Sequence, residues 1–190
     1  MQCALCKDKR CSQGKNCTVI TDNISYEGEE LKSMKTSSHI ESRYYMEKTR
    51  LEELILYSRQ MGYKKLGIAF CIGLGKEAKL VHKILSHDFD VHSVCCKVCG
   101  TSKDEYNLDK FHDGEFEATC NPKSQAMVLN DNNTDLNIQI GLCIGHDIIF
   151  NNNSNAPVTV LAVKDRVLAH NPLGAIYSGY YLKNRFRIDE

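Results

Sequence analysis

The chain has 190 residues, 42% hydrophobic and 25% charged, with ten cysteines and no tryptophan. A chain this long buries an ordinary core without covalent staples, so the cysteines are not needed as a disulfide scaffold. Lys plus Arg equals Asp plus Glu at 24 each, which leaves no global field to draw polyanions or membranes.

No window of about 18 uncharged apolar residues reads as a membrane span, and Met1-Gln2-Cys3-Ala4-Leu5-Cys6-Lys7 has no apolar leader core. A cytoplasmic protein is expected. In that reducing compartment thiols persist as thiols, and ten of them read as metal ligands or redox groups.

The first segment, residues 1–20, carries Cys3, Cys6, Cys11 and Cys17 in a C-x2-C-x4-C-x5-C run. Four thiolates this close can wrap one thiophilic ion or cluster with almost no supporting fold, and Gly14 supplies a flexible turn. The spacing is close to a zinc knuckle and also to small four-cysteine modules that hold a [4Fe–4S] cluster. Lys7, Lys9, Arg10 and Lys15 interleave with the thiols without an aromatic partner, which disfavours nucleic acid and suits an acidic redox partner equally well.

Residues 21–37 are polar and read as a connector, and the α/β domain is expected over 38–190. Ser38-x-x-Glu41 has the form of a capping box. It would open a helix carrying Tyr44, Leu51, Leu54, Ile55 and Met61 on one face, stopped by Gly62. Leu66 to Phe70 predicts a strand, the turn Cys71-Ile72-Gly73 follows, and Ala78, Val81, Ile84 and Leu85 return to helical spacing. A second strand at Val91 to Cys95 completes a βαβ unit and runs into Cys95-Cys96-Lys97-Val98-Cys99-Gly100.

After an irregular charged stretch, Cys120 precedes Asn121-Pro122, a cap followed by proline that predicts a helix through Leu129. Ile138 to Leu142 predicts a third strand, ending in Cys143-Ile144-Gly145, and Val158 to Val163 a fourth, with only a short crossover between them. Asn171-Pro172 repeats the cap-proline form and predicts a closing helix through Leu173, Ile176, Tyr177 and Tyr180. The expected architecture is therefore α/β: a mostly parallel open sheet of about four to five strands with flanking helices, fronted by a small four-cysteine metal module.

The two Cys-Ile-Gly turns suggest two half-units of an open sheet, where ligands bind beyond the carboxyl ends of the strands. Cys71, Cys95, Cys96, Cys99, Cys120 and Cys143 would then share one rim, with helix N-termini adding positive potential for thiolates. A core role is the alternative for Cys71 or Cys143 taken singly. Cys96-x2-Cys99-Gly100 has the form of a metal knuckle, or of a redox dithiol. Gly73-x-Gly75-x-x-Ala78 is a weak dinucleotide signal, since thiols stand where an acidic residue would be wanted. His146 and Asp147 are candidates for moving a proton or tuning a centre.

These runs, with Gly141-Leu142-Cys143-Ile144-Gly145-His146-Asp147 and Val163 to Pro172, resemble an uncharacterised prokaryotic family of cysteine-rich proteins over almost the whole chain. It is a domain of unknown function found mainly in anaerobes and described at most as metal-binding. The resemblance implies metal without naming a reaction. The expected function is an iron–sulfur cluster or zinc held by cysteine thiolates in redox or electron-transfer work, acting with a redox protein or a small-molecule substrate. A Cys96/Cys99 thiol–disulfide oxidoreductase and a zinc-dependent interaction module are the alternatives, and whether it is an enzyme, or oligomeric, is left open.

Overall fold

The computed structural model describes residues 1–20 and 24–188. Residues 21–23 of the expected connector and the last two of the expected domain lie outside the described residues. The helices are α1 (Gly28–Tyr44), α2 (Arg50–Met61), α3 (Gly75–Leu85), α4 (Pro122–Asp131), α5 (His146–Asn153) and α6 (Gly179–Phe186). The strands are β1 (Lys65–Phe70), β2 (Asp90–Cys95), β3 (Leu136–Ile140) and β4 (Val158–Ala162).

The four strands form one parallel sheet in the order β2-β1-β3-β4. This is the α/β architecture expected. The period-2 side-chain alternation of the strands builds two cores, one on each face of the sheet. Leu66 and Ile68 of β1 and Leu136, Ile138 and Ile140 of β3 pack with Leu54 of α2 and with Ala78 and Leu85 of α3. Ala69 and Val94 pack on the opposite face with Ala126 and Leu129 of α4 and Phe150 of α5. Helices therefore cover both faces, as parallel sheets require.

Two buried amides on that second face are satisfied locally. Asn137 donates to Ser154 and accepts from Thr134, each at 2.8 Å, and Gln139 donates to Asn151 at 3.0 Å. Such pairing is what allows polar side chains to sit in a core.

The N-terminal half of the domain differs from expectation. Ser38 lies inside α1, which begins at Gly28 within the expected connector, and the apolar positions from Tyr44 to Met61 are split between two helices. The capping box belongs to Thr49 and Glu52: the Glu52 carboxylate accepts from the Thr49 amide at 2.8 Å, and Thr49 Oγ1 accepts from the Glu52 amide. A capping threonine ends one helical run and starts the next, because its side chain replaces the missing backbone acceptor.

The third strand starts two residues before the expected Ile138 and ends at Ile140, where Gly141 turns the chain at φ +65°. The crossover after it is a full helix, α5. Asn171-Pro172 opens only a 3-10 turn, Pro172–Ala175, and the closing helix waits for Gly179. The Asn121 cap is as expected, its side chain accepting from the Ser124 amide at 3.1 Å.

Candidate functional site

In this strand order the chain moves one way from β1 to β2 and the other way from β1 to β3, so the switch point lies between the carboxyl ends of β1 and β3. Cys71 follows β1 directly, Cys96 follows β2, and Gly141 leads β3 toward Cys143. Backbone bonds stitch these ends together: the Cys71 amide to Ile140 O at 3.0 Å, the Cys96 amide to Phe70 O at 2.8 Å, and the Asn121 amide to Cys96 O at 2.8 Å. The last bond draws Cys120, at the mouth of α4, onto the Cys96 turn. Gln125 of α4 completes the stitching by donating to Val94 O at 2.8 Å and to Phe70 O at 3.3 Å.

Three thiols meet there. Cys71 and Cys96 are buried, at 6% and 3% exposure, and Cys120 is half-buried. Cys96 stands in the middle: its Sγ receives the Ile72 amide at 3.3 Å, its amide donates to Phe70 O next to Cys71, and its carbonyl accepts from the Asn121 amide next to Cys120.

The cations complete the arrangement. Lys164, beyond the end of β4, donates to Cys71 Sγ at 2.9 Å, and Arg166 approaches Cys143 Sγ at 3.8 Å. Gly73 makes room for this, since a Cβ there would come within 3.2 Å of Lys164 Nζ. Lys97 is anchored on Ala118 O at 2.6 Å and places its charge beside Cys120, together with His146.

The charge states follow from these contacts. Burial pushes the Cys71 thiol up, but the Lys164 ammonium, the Gly73 amide and the Cys96 thiol outweigh it and hold Cys71 below the ordinary thiol range. The bond from Cys96 dominates at Cys120 and, with Lys97 and His146, brings that thiol down to about 5 against the cost of burial. The same bond and burial push Cys96 well above the usual range. Cys71 and Cys120 are thus both lowered and Cys96 between them raised, with Lys164 on the first and Lys97 beside the second.

The loop that carries Lys164 and Arg166 is held by its own backbone. Asp165 Oδ1 accepts from the amides of Val167 and Leu168 at 2.9 and 2.8 Å, and the Asp165 amide donates to His170 Nδ1 at 3.2 Å. Ala169 and His170 both take left-handed backbone conformations, at φ 49° and 64°. Neither Lys164, Arg166 nor Gln125 was singled out from sequence, where basic and amide side chains carry no periodic signal.

The other expected residues are placed as follows. Cys95 ends β2 and is half-buried, and Cys99 is exposed in a left-handed conformation at φ 72°. Cys143 is half-buried, with Arg166 at 3.8 Å from its Sγ. His146 opens α5, and the Asp147 carboxylate accepts from the amides of Gly145 and Ile148 at 2.9 and 2.8 Å, which ties it to the turn. Cys3, Cys6, Cys11 and Cys17 are all exposed, on and beside the 3-10 turns Cys3–Leu5 and Arg10–Gln13. Among the described residues no group of three or more His, Cys, Asp or Glu side chains is arranged to hold a metal ion, the Cys71, Cys96 and Cys120 trio included. No described helix is long and apolar enough to cross a membrane.

Residues 9–161 match the family described as "Protein of unknown function (DUF1847)". The chain belongs to that family. It is also 57% identical over 187 residues to "Uncharacterized protein MJ0455" of Methanocaldococcus jannaschii, covering 96% of this chain and 97% of that protein. No solved structure matches. The resemblance read from the cysteine runs is confirmed to this extent, as membership of an uncharacterised family that includes an archaeal member.

Proposed function

We propose that this protein binds a thiophilic metal centre, an iron–sulfur cluster in preference to zinc, through the carboxyl-edge thiols Cys71, Cys96 and Cys120, and works in redox chemistry. The observation that supports it most is the gathering of three thiols from three separate segments at the carboxyl ends of β1 and β2, with Lys164 on Cys71 and Lys97 beside Cys120.

The donor set suits such a guest. Thiolates select soft metals, and the amides and ammonium groups around them stabilise the negative charge of a thiolate-ligated centre. A cluster supplies one-electron transfer when bound. The chain's part is to hold Cys71 and Cys120 below the ordinary thiol range, shield Cys71 and Cys96 from water, and offer His146 as a proton carrier beside Cys120. Cys3, Cys6, Cys11 and Cys17 serve as ligands of a second centre at the surface, suited to exchange with a redox protein.

Anaerobic purification with iron, sulfide and zinc analysis, and an absorption spectrum at about 400 nm, where thiolate-ligated clusters absorb, tests the reading. Iron and sulfide that fall in Cys71→Ser, Cys96→Ser and Cys120→Ser variants support it. Metal-free protein under anoxic conditions, reconstituting with neither iron and sulfide nor zinc, overturns it.

A further inference from the structure

The Cys96 thiol has two sulfur neighbours, and they differ in accessibility. Cys71 is 6% exposed and is held by Lys164 at 2.9 Å, so an incoming molecule cannot reach it without moving the lysine. Cys120 is half-buried, at the mouth of α4, and open to one side. Cys96 lies behind it at 3% exposure. An accessible sulfur backed by a buried one is the arrangement of an attacking and a resolving thiol. The backbone already brings the two together, through the Asn121 amide on Cys96 O at 2.8 Å.

We propose that Cys120 and Cys96 form a thiol–disulfide exchange pair that reacts with low-molecular-weight disulfides and closes into a Cys96–Cys120 disulfide. This rests on the proposed ligand set in one respect: closing the disulfide removes two of the three rim sulfurs from any metal.

The step balances. The Cys120 thiolate attacks one sulfur of RSSR, forming a Cys120–SR bond and releasing RS⁻. Cys96 then gives its proton to that departing thiolate and attacks Cys120 Sγ, releasing the second RS⁻, which takes a proton from solvent. The protein dithiol is oxidised by two electrons, and the disulfide is reduced to two thiols. Lys97, whose ammonium is anchored on Ala118 O at 2.6 Å two residues before Cys120, favours anionic disulfides such as oxidised glutathione.

Exchange by this pair, rather than by Cys96 with Cys99, follows from the same contacts. Cys99 is exposed in a left-handed turn, whereas the Asn121 amide on Cys96 O at 2.8 Å sets the Cys120 backbone against Cys96.

The test uses the full chain, reduced and stripped of metal, incubated with oxidised glutathione, then alkylated, digested and mapped by mass spectrometry. A Cys96–Cys120 disulfide is expected in wild type and in Cys99→Ser. Cys96→Ser is expected to trap glutathione on Cys120, raising that adduct at least tenfold over wild type. Oxidised wild type is expected to lose metal uptake and regain it after dithiothreitol. A disulfide mapping to Cys96–Cys99 or Cys71–Cys96, or a Cys96→Ser protein with no adduct on Cys120, overturns the proposal. Should Cys96→Ser fail to fold, Cys96→Ala carries the same trapping test. A reduced protein that takes up no metal yet forms the Cys96–Cys120 bond retires the metal reading alone. A protein that binds metal but never forms the bond retires the exchange pair alone.

Discussion

Lys164 Nζ and Cys71 Sγ lie 2.9 Å apart although 93 positions separate them in the chain. The contact joins the end of a central strand to the loop after the edge strand, and it pulls a buried thiol down against the effect of burial. Lys164→Met keeps the stem and removes the cation, leaving burial as the dominant influence on Cys71. Alkylation of Cys71 at neutral pH, followed by peptide mass spectrometry, is expected to slow by roughly tenfold or more in the variant, the rate following the thiolate fraction.

Cys120 offers a pH test. Its ionisation midpoint of about 5 depends first on the Cys96 thiol. Reaction of Cys120 with iodoacetamide should be half-maximal near that pH in wild type and move toward the ordinary thiol range in Cys96→Ala. For stability the sign is that of a lowered acid. The contribution of ionised Cys120 is whole above the unfolded thiol's pKa and is lost as pH falls through about 5. Cys96, raised, contributes in the opposite sense, most below the unfolded pKa and less as pH rises.

Gln125 is fully buried and donates to carbonyls at the ends of both β1 and β2. Gln125→Leu leaves Val94 O without that donor beside the thiols. Loss of a buried hydrogen bond of this kind costs about 1–3 kcal/mol. Urea titration is expected to show that loss, with a parallel decrease in any metal retained by the rim.

Gly141 turns the chain between β3 and Cys143 at φ +65°, and a Cβ there would meet Leu74 Cδ1 at 1.9 Å. Strain and overpacking together make Gly141→Ala destabilising by about 2–4 kcal/mol. Thermal unfolding of the purified variant checks this.

Removing residues 1–20 takes away no buried side chain. The truncated chain is expected to unfold at the same temperature as the full chain to within about 2 °C, and, on the proposed reading, to lose any iron or zinc held by Cys3, Cys6, Cys11 and Cys17. Metal stoichiometry before and after truncation separates the surface centre from the rim.

Strand identity was legible because β1 and β4 carry largely apolar runs, and the Asn121-Pro122 signal has a direct local mechanism. The split between α1 and α2 was not. Tyr44 and Leu51 keep helical spacing across the break, and the competing signal at Thr49 is a side-chain hydrogen bond that periodicity ignores. At the rim, the ends of strands could be read, so Cys71 and Cys96 were expected near each other once the strand order was guessed. The selection of Cys120 over Cys99 could not, because it depends on the Asn121 amide reaching Cys96 O across an irregular segment. Lys164 was equally hidden, being one basic residue among 24, made significant only by where β4 ends.

Lys164 and Arg166 are two residues apart on a loop braced by Asp165 and His170, and they face sulfurs on either side of the switch point. They are therefore mechanically linked: a shift that withdraws one carries the other with it. The cations beside Cys71 and Cys143 would leave in concert, and a single small displacement of one loop would change the electrostatics of the crevice at once.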